Sequence, residues 1–177
     1  MPGKVRRIVT AVNAAGRSYI LSDTSLPTAA VAPGEPVRAG LWVTDSAPAS
    51  NAGVRDPVPD GVIPRIPPAS RGGTVLRIVE FVPENVQRAD PKELARRGAK
   101  TTPDRSAKDP GFHATDTVDY AICLEGEIWA VLDEAETLMR PGDVLIQRGT
   151  YHAWSNRSGS VCRIAFILID AEPLKNH

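Results

Sequence analysis

Two stretches decide the fold of this chain: Gly111–Gly126, "GFHATDTVDYAICLEG", and Gly142–Asn156, "GDVLIQRGTYHAWSN". Each places a histidine beside an alternating apolar run, and each is bounded by glycine or asparagine, which are turn residues. The chain has only 3 histidines in 177 residues. Because two of them stand in matching strand contexts, the sequence predicts that they share a site.

The second half of the chain shows the pattern of short strands throughout. Gly, Pro, Asn or acidic residues bound each apolar run, as is typical of a small all-β barrel or sandwich. The predicted strands are residues 74–82, 117–124, 127–133, 137–140, 143–148, 151–156 and 160–170. We therefore expect an all-β fold.

The first half of the chain is rich in proline and glycine, of which the whole sequence has 16 and 14. Such residues exclude long helices. Residues 5–12 and 17–22 are predicted to form strands around an "NAAG" turn, with "AGLWVTDS" as a third apolar element. Asp90 followed by "PKELARRG" predicts one short helix. We expect an N-terminal strand arm (1–72), a barrel (73–170) and a tail (171–177), the arm adding strands to a sheet edge or a neighbouring subunit.

The charge pattern narrows the possible partners. Lysine plus arginine equals aspartate plus glutamate at 21 each, and no basic stripe carries aromatic residues, so we expect no nucleic-acid partner. No apolar run approaches the ~18 residues of a membrane span, and the N-terminal segment has no uninterrupted apolar stretch. These features predict a cytoplasmic protein whose partner is a small molecule.

Strand geometry groups the candidate site residues. Successive side chains point to opposite faces, so His113 and Asp119 share one row if their segment stays extended. The alternate row is apolar and is expected to pack the core: Val118, Tyr120, Ile122 and Leu124. His152 lies on one face with Trp154 and Asn156. Two imidazoles and a carboxylate suit a divalent metal. The alternative is that both histidines are ordinary core residues held by hydrogen bonds.

The two stretches resemble the motifs of the cupin superfamily. Its first motif, G(X)5HXH(X)3-4E(X)6G, is matched by His113 and Gly126, with Thr115 at the second histidine and Asp119 at the glutamate. The second motif, G(X)5PXG(X)2H(X)3N, is matched by four residues: Gly142, Gly149, His152 and Asn156. Gln147 replaces its proline, with one residue fewer after the first glycine. The resemblance covers residues 73–170.

The resemblance implies a jelly-roll barrel, the double-stranded β-helix, often dimeric, with a metal in its mouth. Thr115 cannot act as an imidazole, so the implied centre is a two-histidine, one-carboxylate triad of His113, Asp119 and His152. Gln147 or water is a further candidate ligand. The sequence does not distinguish Fe, Mn, Zn and Ni.

The implied metal centre is compatible with three hypotheses about function. The favoured one is a metal-dependent lyase-like enzyme that acts on a small oxo acid, hydroxy acid or aromatic carbonyl compound. Decarboxylation, dehydration and isomerisation would all pass through a metal-stabilised enolate. Arg77, which alternates with apolar residues in "TVLRIVEF", or Gln147 would orient the substrate. The alternatives are a non-heme iron dioxygenase and a non-catalytic barrel that binds a small ligand.

Overall fold

The computed structural model describes residues 4–30, 36–62, 68, 71–85 and 90–175. Within these ranges the chain forms eleven strands and two short helices. The strands are β1 (Lys4–Val12), β2 (Ser18–Pro27), β3 (Ala29–Ala30), β4 (Val37–Thr44), β5 (Thr74–Phe81), β6 (Thr117–Glu125), β7 (Ile128–Leu132), β8 (Glu136–Met139), β9 (Val144–Arg148), β10 (His152–Ser155) and β11 (Cys162–Asp170). The helices are α1 (Pro91–Arg96) and α2 (Pro103–Lys108). The third histidine, His177, lies outside the described residues.

Two antiparallel sheets form the barrel. The larger has the order β3-β4-β5-β11-β6-β9, and the smaller has the order β10-β7-β8. Their inner faces share one apolar core, to which β5, β6 and β11 contribute from the larger sheet and β7 and β8 from the smaller. The predicted all-β jelly-roll fold is confirmed. Among the described residues no helix is long and apolar enough to cross a membrane.

The N-terminal hairpin forms where the sequence predicts it. Asn13 accepts hydrogen bonds through its side chain from the backbone N–H groups of Ala15 and Arg17, both at 3.0 Å. Gly16 completes the turn with a φ of 72°, a conformation that costs glycine little. The hairpin β1–β2 is a separate two-stranded sheet. Buried Arg7 attaches it to the barrel by donating to the carbonyl of Val58 at 3.0 Å.

The predicted arm also contributes to the barrel sheet. Strand β4 pairs antiparallel with β5, and β3 pairs with the outer side of β4. Part of the segment 1–72 therefore covers a barrel edge that would otherwise expose unpaired backbone groups. The domain boundary at residue 73 stays a prediction.

The predicted helix is present, and a second one accompanies it. Asp90 caps α1 by accepting from the Lys92 N–H at 2.9 Å, and Pro91 stands in its first turn. Helix α2 was not predicted from the sequence. Its N-cap, Thr102, makes no capping hydrogen bond through its side chain, so the usual signal at a helix start is weak there.

One predicted face is wrong. The row expected to pack the core from β6 points outward, with Tyr120 39% and Leu124 45% exposed. The inward row is the one that carries Asp119, and its members Thr117, Ala121 and Cys123 are each at most 1% exposed. Small and polar side chains fill the narrow interior here, so hydrophobicity alone misassigned the two faces.

Candidate active site

The two motif histidines are direct neighbours. The backbone N–H of His113 donates to the carbonyl of His152 at 2.9 Å, and the reverse bond is 3.0 Å. This isolated bridge between the segment before β6 and the start of β10 sets the ring centroids 4.5 Å apart. The convergence predicted from the sequence is therefore present for the histidine pair.

Each imidazole is held through the same ring nitrogen. The Nδ1 atom of His113 lies 2.8 Å from the carbonyl of Gly111, and that of His152 lies 3.0 Å from the carbonyl of Thr150. A carbonyl only accepts, so each Nδ1 carries the proton. The Nε2 atoms keep their lone pairs, which is the tautomer that a metal ligand or a general base requires.

Both imidazoles are neutral at physiological pH. Burial is the main cause that lowers the pKa of His113 to about 3, and the neighbouring His152 lowers it further. Burial likewise lowers the pKa of His152 to about 4, against the hydrogen bond to Thr150. By exposed area, His152 is 3% accessible, whereas His113 is half-buried.

Asp119 points into the same cavity from β6. It is 5% exposed, and burial raises the pKa of its carboxyl to about 6, although the Thr117 hydroxyl and the charge of Arg77 act in the opposite direction. Its Oδ1 atom is buried without a hydrogen-bond partner. Burial of a carboxylate oxygen without a hydrogen-bond partner destabilises the folded state unless a bound ligand interacts with that oxygen.

Arg77 lies on the inward row of β5, and its neighbours Val75 and Val79 are buried. Its partners in register are Gly40 on β4 and Phe166 on β11. The guanidinium carbon lies 5.6 Å from the centre of the Phe166 ring. The aromatic face of Phe166 therefore supports the guanidinium group.

These residues line one cavity of about 70 Å³. A single water needs roughly 10–15 Å³ on this scale, so the cavity has space for a small organic molecule. Its charged and polar lining comprises Arg38, Arg77, Arg97, His113, Asp119 and His152, and its apolar lining includes Val79, Phe81, Leu94, Trp154 and Phe166. Arg38 and Arg97 are not among the site residues predicted from the sequence. Only the alternation of Arg38 with Val37 and Ala39 was a usable signal.

Gln147 lies next to the cavity and holds one of the two histidines in place through Thr150. It is 4% exposed and pairs in register with Asp119, but it is not among the residues that line the cavity. Its amide nitrogen donates to the hydroxyl of Thr150 and, at 3.0 Å, to the Thr150 carbonyl. That carbonyl also holds Nδ1 of His152. The contacts of Gln147 therefore orient the histidine, while its predicted contact with substrate or metal stays a prediction.

The types of donor atom in the cavity suit a divalent metal. Two neutral imidazoles with bare Nε2 atoms and an orphaned carboxylate oxygen are suitable ligands. In the part of the chain that the structure describes, however, no three His, Cys, Asp or Glu side chains form a group that could hold a metal ion. The histidine pair fits as ligands, and Asp119 lines the cavity without completing a three-residue centre.

Comparison with known proteins places relatives in biosynthetic gene clusters. The chain is 35% identical over 106 residues to phomopsin biosynthesis cluster protein C' of Diaporthe leptostromiformis, covering 59% of this chain and 44% of the relative. It is 38% identical over 67 residues to a cupin-domain-containing oxidoreductase of Hypocrea virens, covering 36% and 34%. The chain thus matches less than half the length of these relatives.

Solved structures give similar matches at low identity. A double-stranded β-helix protein from Klebsiella pneumoniae superposes with a TM-score of 0.47 and 13% identity, over 83% of this chain and 87% of the other. A Cupin 2 conserved barrel protein from Salinispora arenicola gives 0.44 and 14%, over 78% of each chain. No established family profile matches the chain.

The two motifs meet at one cavity of the barrel, at the bridge between His113 and His152. Relatives named as cupin-domain proteins share 38% and 40% identity with this chain over 67 and 63 residues. On these grounds the barrel of this chain is similar in its motifs and sequence to cupin-domain proteins.

Proposed function

We propose that the barrel is a metal-assisted enzyme site for a small oxo acid, hydroxy acid or aromatic carbonyl compound. The observation that carries the proposal is the histidine pair, whose Nδ1 atoms are both held by backbone carbonyls so that both Nε2 atoms are available. Decarboxylation, dehydration and isomerisation all produce an enolate. The reaction belongs to this group.

His113 and His152 would hold the metal, and water or substrate would complete its coordination. A bound divalent ion supplies Lewis-acid polarisation of a carbonyl oxygen. The chain itself keeps both imidazoles neutral by burial, so protons compete weakly for the ligand positions. Gln147 fixes the Thr150 carbonyl and, through it, the ring of His152.

Arg77 and Asp119 would act on the substrate directly. The guanidinium of Arg77 is suited to orient a carboxylate through two parallel hydrogen bonds. Asp119 Oδ1, which lacks a partner, would hold or release the proton that moves when the enolate forms or collapses. Phe81, Trp154 and Phe166 line the same cavity and exclude water from it.

An oxidoreductase is the second candidate. Several relatives carry that name, and two histidines with a nearby carboxylate also suit iron and oxygen chemistry. The two candidates differ in what they consume. An oxidoreductase of the dioxygenase type uses oxygen in proportion to product, whereas the enolate reactions use none.

Metal analysis followed by turnover tests the proposal. Protein purified without chelator is assayed for Mn, Fe, Ni and Zn, loaded with each, and mixed with 3-oxo acids, 3-hydroxy acids and aryl alkyl ketones. We expect metal-dependent loss of carbon dioxide, loss of water or exchange of an α-proton. His113→Ala and His152→Ala should lose both metal and turnover, and His177→Ala, outside both motifs, should lose neither.

Three outcomes would contradict the proposal. Protein that stays metal-free after incubation with all four salts excludes the metal and leaves a barrel that only binds a ligand. Stoichiometric oxygen consumption favours the oxidoreductase. Turnover that survives both histidine substitutions places the chemistry elsewhere.

A further inference from the structure

The carboxylate of Asp119 has one oxygen that a ligand in the cavity can satisfy. Asp119 lines the cavity and is 5% exposed, and its Oδ1 atom is buried without a hydrogen-bond partner. An ionised carboxylate oxygen only accepts hydrogen bonds. A ligand that displaces water from this oxygen without replacing the lost hydrogen bond binds weakly. The cavity therefore favours a ligand that brings a hydrogen-bond donor to Oδ1.

The arginines of the cavity do not supply that donor. Arg38, Arg77 and Arg97 line the cavity, and each interacts with other groups of the chain. The charge of Arg77 acts on the Asp119 carboxyl, yet no group in the described part of the chain donates a hydrogen bond to Oδ1. The donor for this oxygen therefore comes from water in the empty cavity and from the ligand in the filled one.

The histidine pair presents acceptors to the same space. The Nδ1 atoms of His113 and His152 are held by backbone carbonyls at 2.8 and 3.0 Å, so each Nε2 atom carries a lone pair. The ring of His152 meets the ring of Trp154 edge-on, with centres 5.7 Å apart. The polar part of the cavity is therefore continuous with an aromatic wall.

Three aromatic side chains form that wall. The ring centres of Trp154 and Phe166 are 5.3 Å apart, and that of Phe81 lies 6.3 and 6.4 Å from them. Phe166 pairs in register with Ala121, two residues along β6 from Asp119, so Phe166 and Asp119 are diagonal neighbours in the sheet. Flat apolar side chains of this kind favour a ligand with a planar, unsaturated body.

We propose that the cavity binds a planar aromatic compound that carries a hydroxyl group, with the O–H donating to Asp119 Oδ1 and the ring against Phe81, Trp154 and Phe166. A phenol keeps its proton near neutral pH, and a hydrogen bond from O–H to a carboxylate is short and strong. Hydroxylated aromatic carbonyl compounds are thereby the substrate class of the proposed active site, and the biological role of the contact rests on that proposed function. The binding itself requires neither metal nor turnover.

Calorimetric titration of the full chain near neutral pH, after treatment with chelator, measures the contact. The probes are 3-hydroxyacetophenone and 4-hydroxyacetophenone. Their fluoro counterparts have nearly the same shape but no donor, and 4-hydroxycyclohexyl methyl ketone keeps a hydroxyl but loses the flat ring. We expect at least one hydroxyacetophenone to bind about tenfold more tightly than its fluoro counterpart and than the cyclohexyl ketone.

Variants of the carboxylate locate the hydroxyl. Asp119→Ala should make the hydroxyl and fluoro compounds bind equally, and Asp119→Asn, which preserves the shape and keeps a neutral acceptor, should show an intermediate preference. Asp45, exposed directly after β4, provides the matched control, because Asp45→Asn removes an equal charge at the surface and should leave the preference unchanged. If Asp119→Ala does not fold, Asp119→Asn alone decides.

A variant of the wall locates the ring. Phe81→Leu keeps an apolar side chain but removes one flat face, so it should weaken the hydroxyl and fluoro compounds by a similar factor and leave the preference for the hydroxyl intact. The two kinds of variant therefore act on different quantities: Asp119 on the ratio of the two affinities, and Phe81 on both affinities together.

Several results would overturn the proposal: equal affinity of the parent protein for hydroxyl and fluoro compounds, no binding of either hydroxyacetophenone, or an unchanged hydroxyl preference in the folded Asp119 variants. A preference that survives in those variants but is lost in His152→Gln would place the hydroxyl at the histidines instead. Failure of the proposed function gives a different result. In that case the hydroxyacetophenones bind as expected, but no oxo acid, hydroxy acid or ketone turns over with any metal.

Discussion

His113 and His152 are joined twice, by a reciprocal pair of backbone hydrogen bonds at 2.9 and 3.0 Å and by rings whose centres lie 4.5 Å apart. The chain therefore aligns both imidazoles through backbone pairing before any ligand binds. The geometry of the pair depends on strand register, and we expect substitution of one ring to leave the backbone bridge intact. Loss of function in a histidine variant can thus be separated from loss of fold.

Stability of the metal-free protein should depend on pH through these histidines. Their folded pKa values of about 3 and 4 lie below the ordinary 6.5, so only the unfolded chain takes up protons as the pH falls from 6.5 toward 4. This uptake destabilises the fold. Asp119 acts in the opposite sense, because its raised pKa of about 6 lets the folded state bind a proton first. With two histidines against one carboxyl, we expect the melting temperature to fall on acidification.

His152→Gln isolates the histidine contribution. Other acidic groups also titrate in this window, and they are unchanged in the variant. The slope of melting temperature against pH between 6.5 and 4 should therefore be shallower in His152→Gln than in the parent. Identical slopes would show that His152 is not held neutral in the folded state.

Thr117 should tune the carboxyl of Asp119. The Thr117 hydroxyl is buried, lies 2.6 Å from the Thr115 hydroxyl, and lowers the pKa of Asp119 by hydrogen bonding. Thr117→Val removes that bond, so we expect the Asp119 pKa to rise, as followed by carboxyl carbon NMR. Thr115→Val is the control because the bond from Thr117 to Asp119 remains. A pKa shift of equal size in both variants would contradict the assignment.

Gly126 and Gly142 offer a matched pair for backbone strain. Both have positive φ, 72° and 96°, so alanine costs ~1–2 kcal/mol at either position. A β-carbon on Gly126 would also meet the carbonyl of Val161 at 2.5 Å, whereas one on Gly142 meets nothing within 4 Å. Thermal melts should show Gly126→Ala as clearly the less stable variant. Equal losses of melting temperature would mean that the backbone at Val161, just before β11, moves to make room for the added β-carbon.

Removal of residues 1–45 should expose the barrel edge. The deletion takes away β4, which pairs with β5 from Thr74 to Glu80 on the side opposite β11. An unpaired strand edge promotes aggregation. We also propose that a second copy of the chain binds at the same sheet edge to form a homodimer. Light scattering and mass in solution should show aggregation or dissociation. A truncated chain with unchanged mass and melting temperature would refute this role.

The strands and the histidine pair could be predicted because their signals are local. Alternation, bounding glycines and the spacing within each stretch place His152 at a strand and His113 just before one, without reference to the rest of the chain. The Asn13–Gly16 turn and the Asp90 cap are equally local. These features depend on a few neighbouring residues, and the structure contains all of them.

The sequence could not show which row of β6 faces inward or which arginines reach the cavity. Both rows of β6 contain apolar residues. The row with the smaller side chains, which includes Ala121 and Cys123, is the one that faces the barrel interior. Arg38 reaches the cavity only because β4 pairs with β5. Such choices depend on contacts between segments that are far apart in sequence.

One wall of the cavity does not come from the sheets. Leu94 and Arg97 belong to the short helical segment between β5 and β6 and line the cavity. Part of the binding surface is therefore formed by a connecting segment, and the length and composition of such segments can change without altering strand register. Ligand selectivity at this wall can therefore change while the pairing of the strands stays the same. Exchange of residues 90–99 between such proteins should transfer ligand preference from one barrel to another.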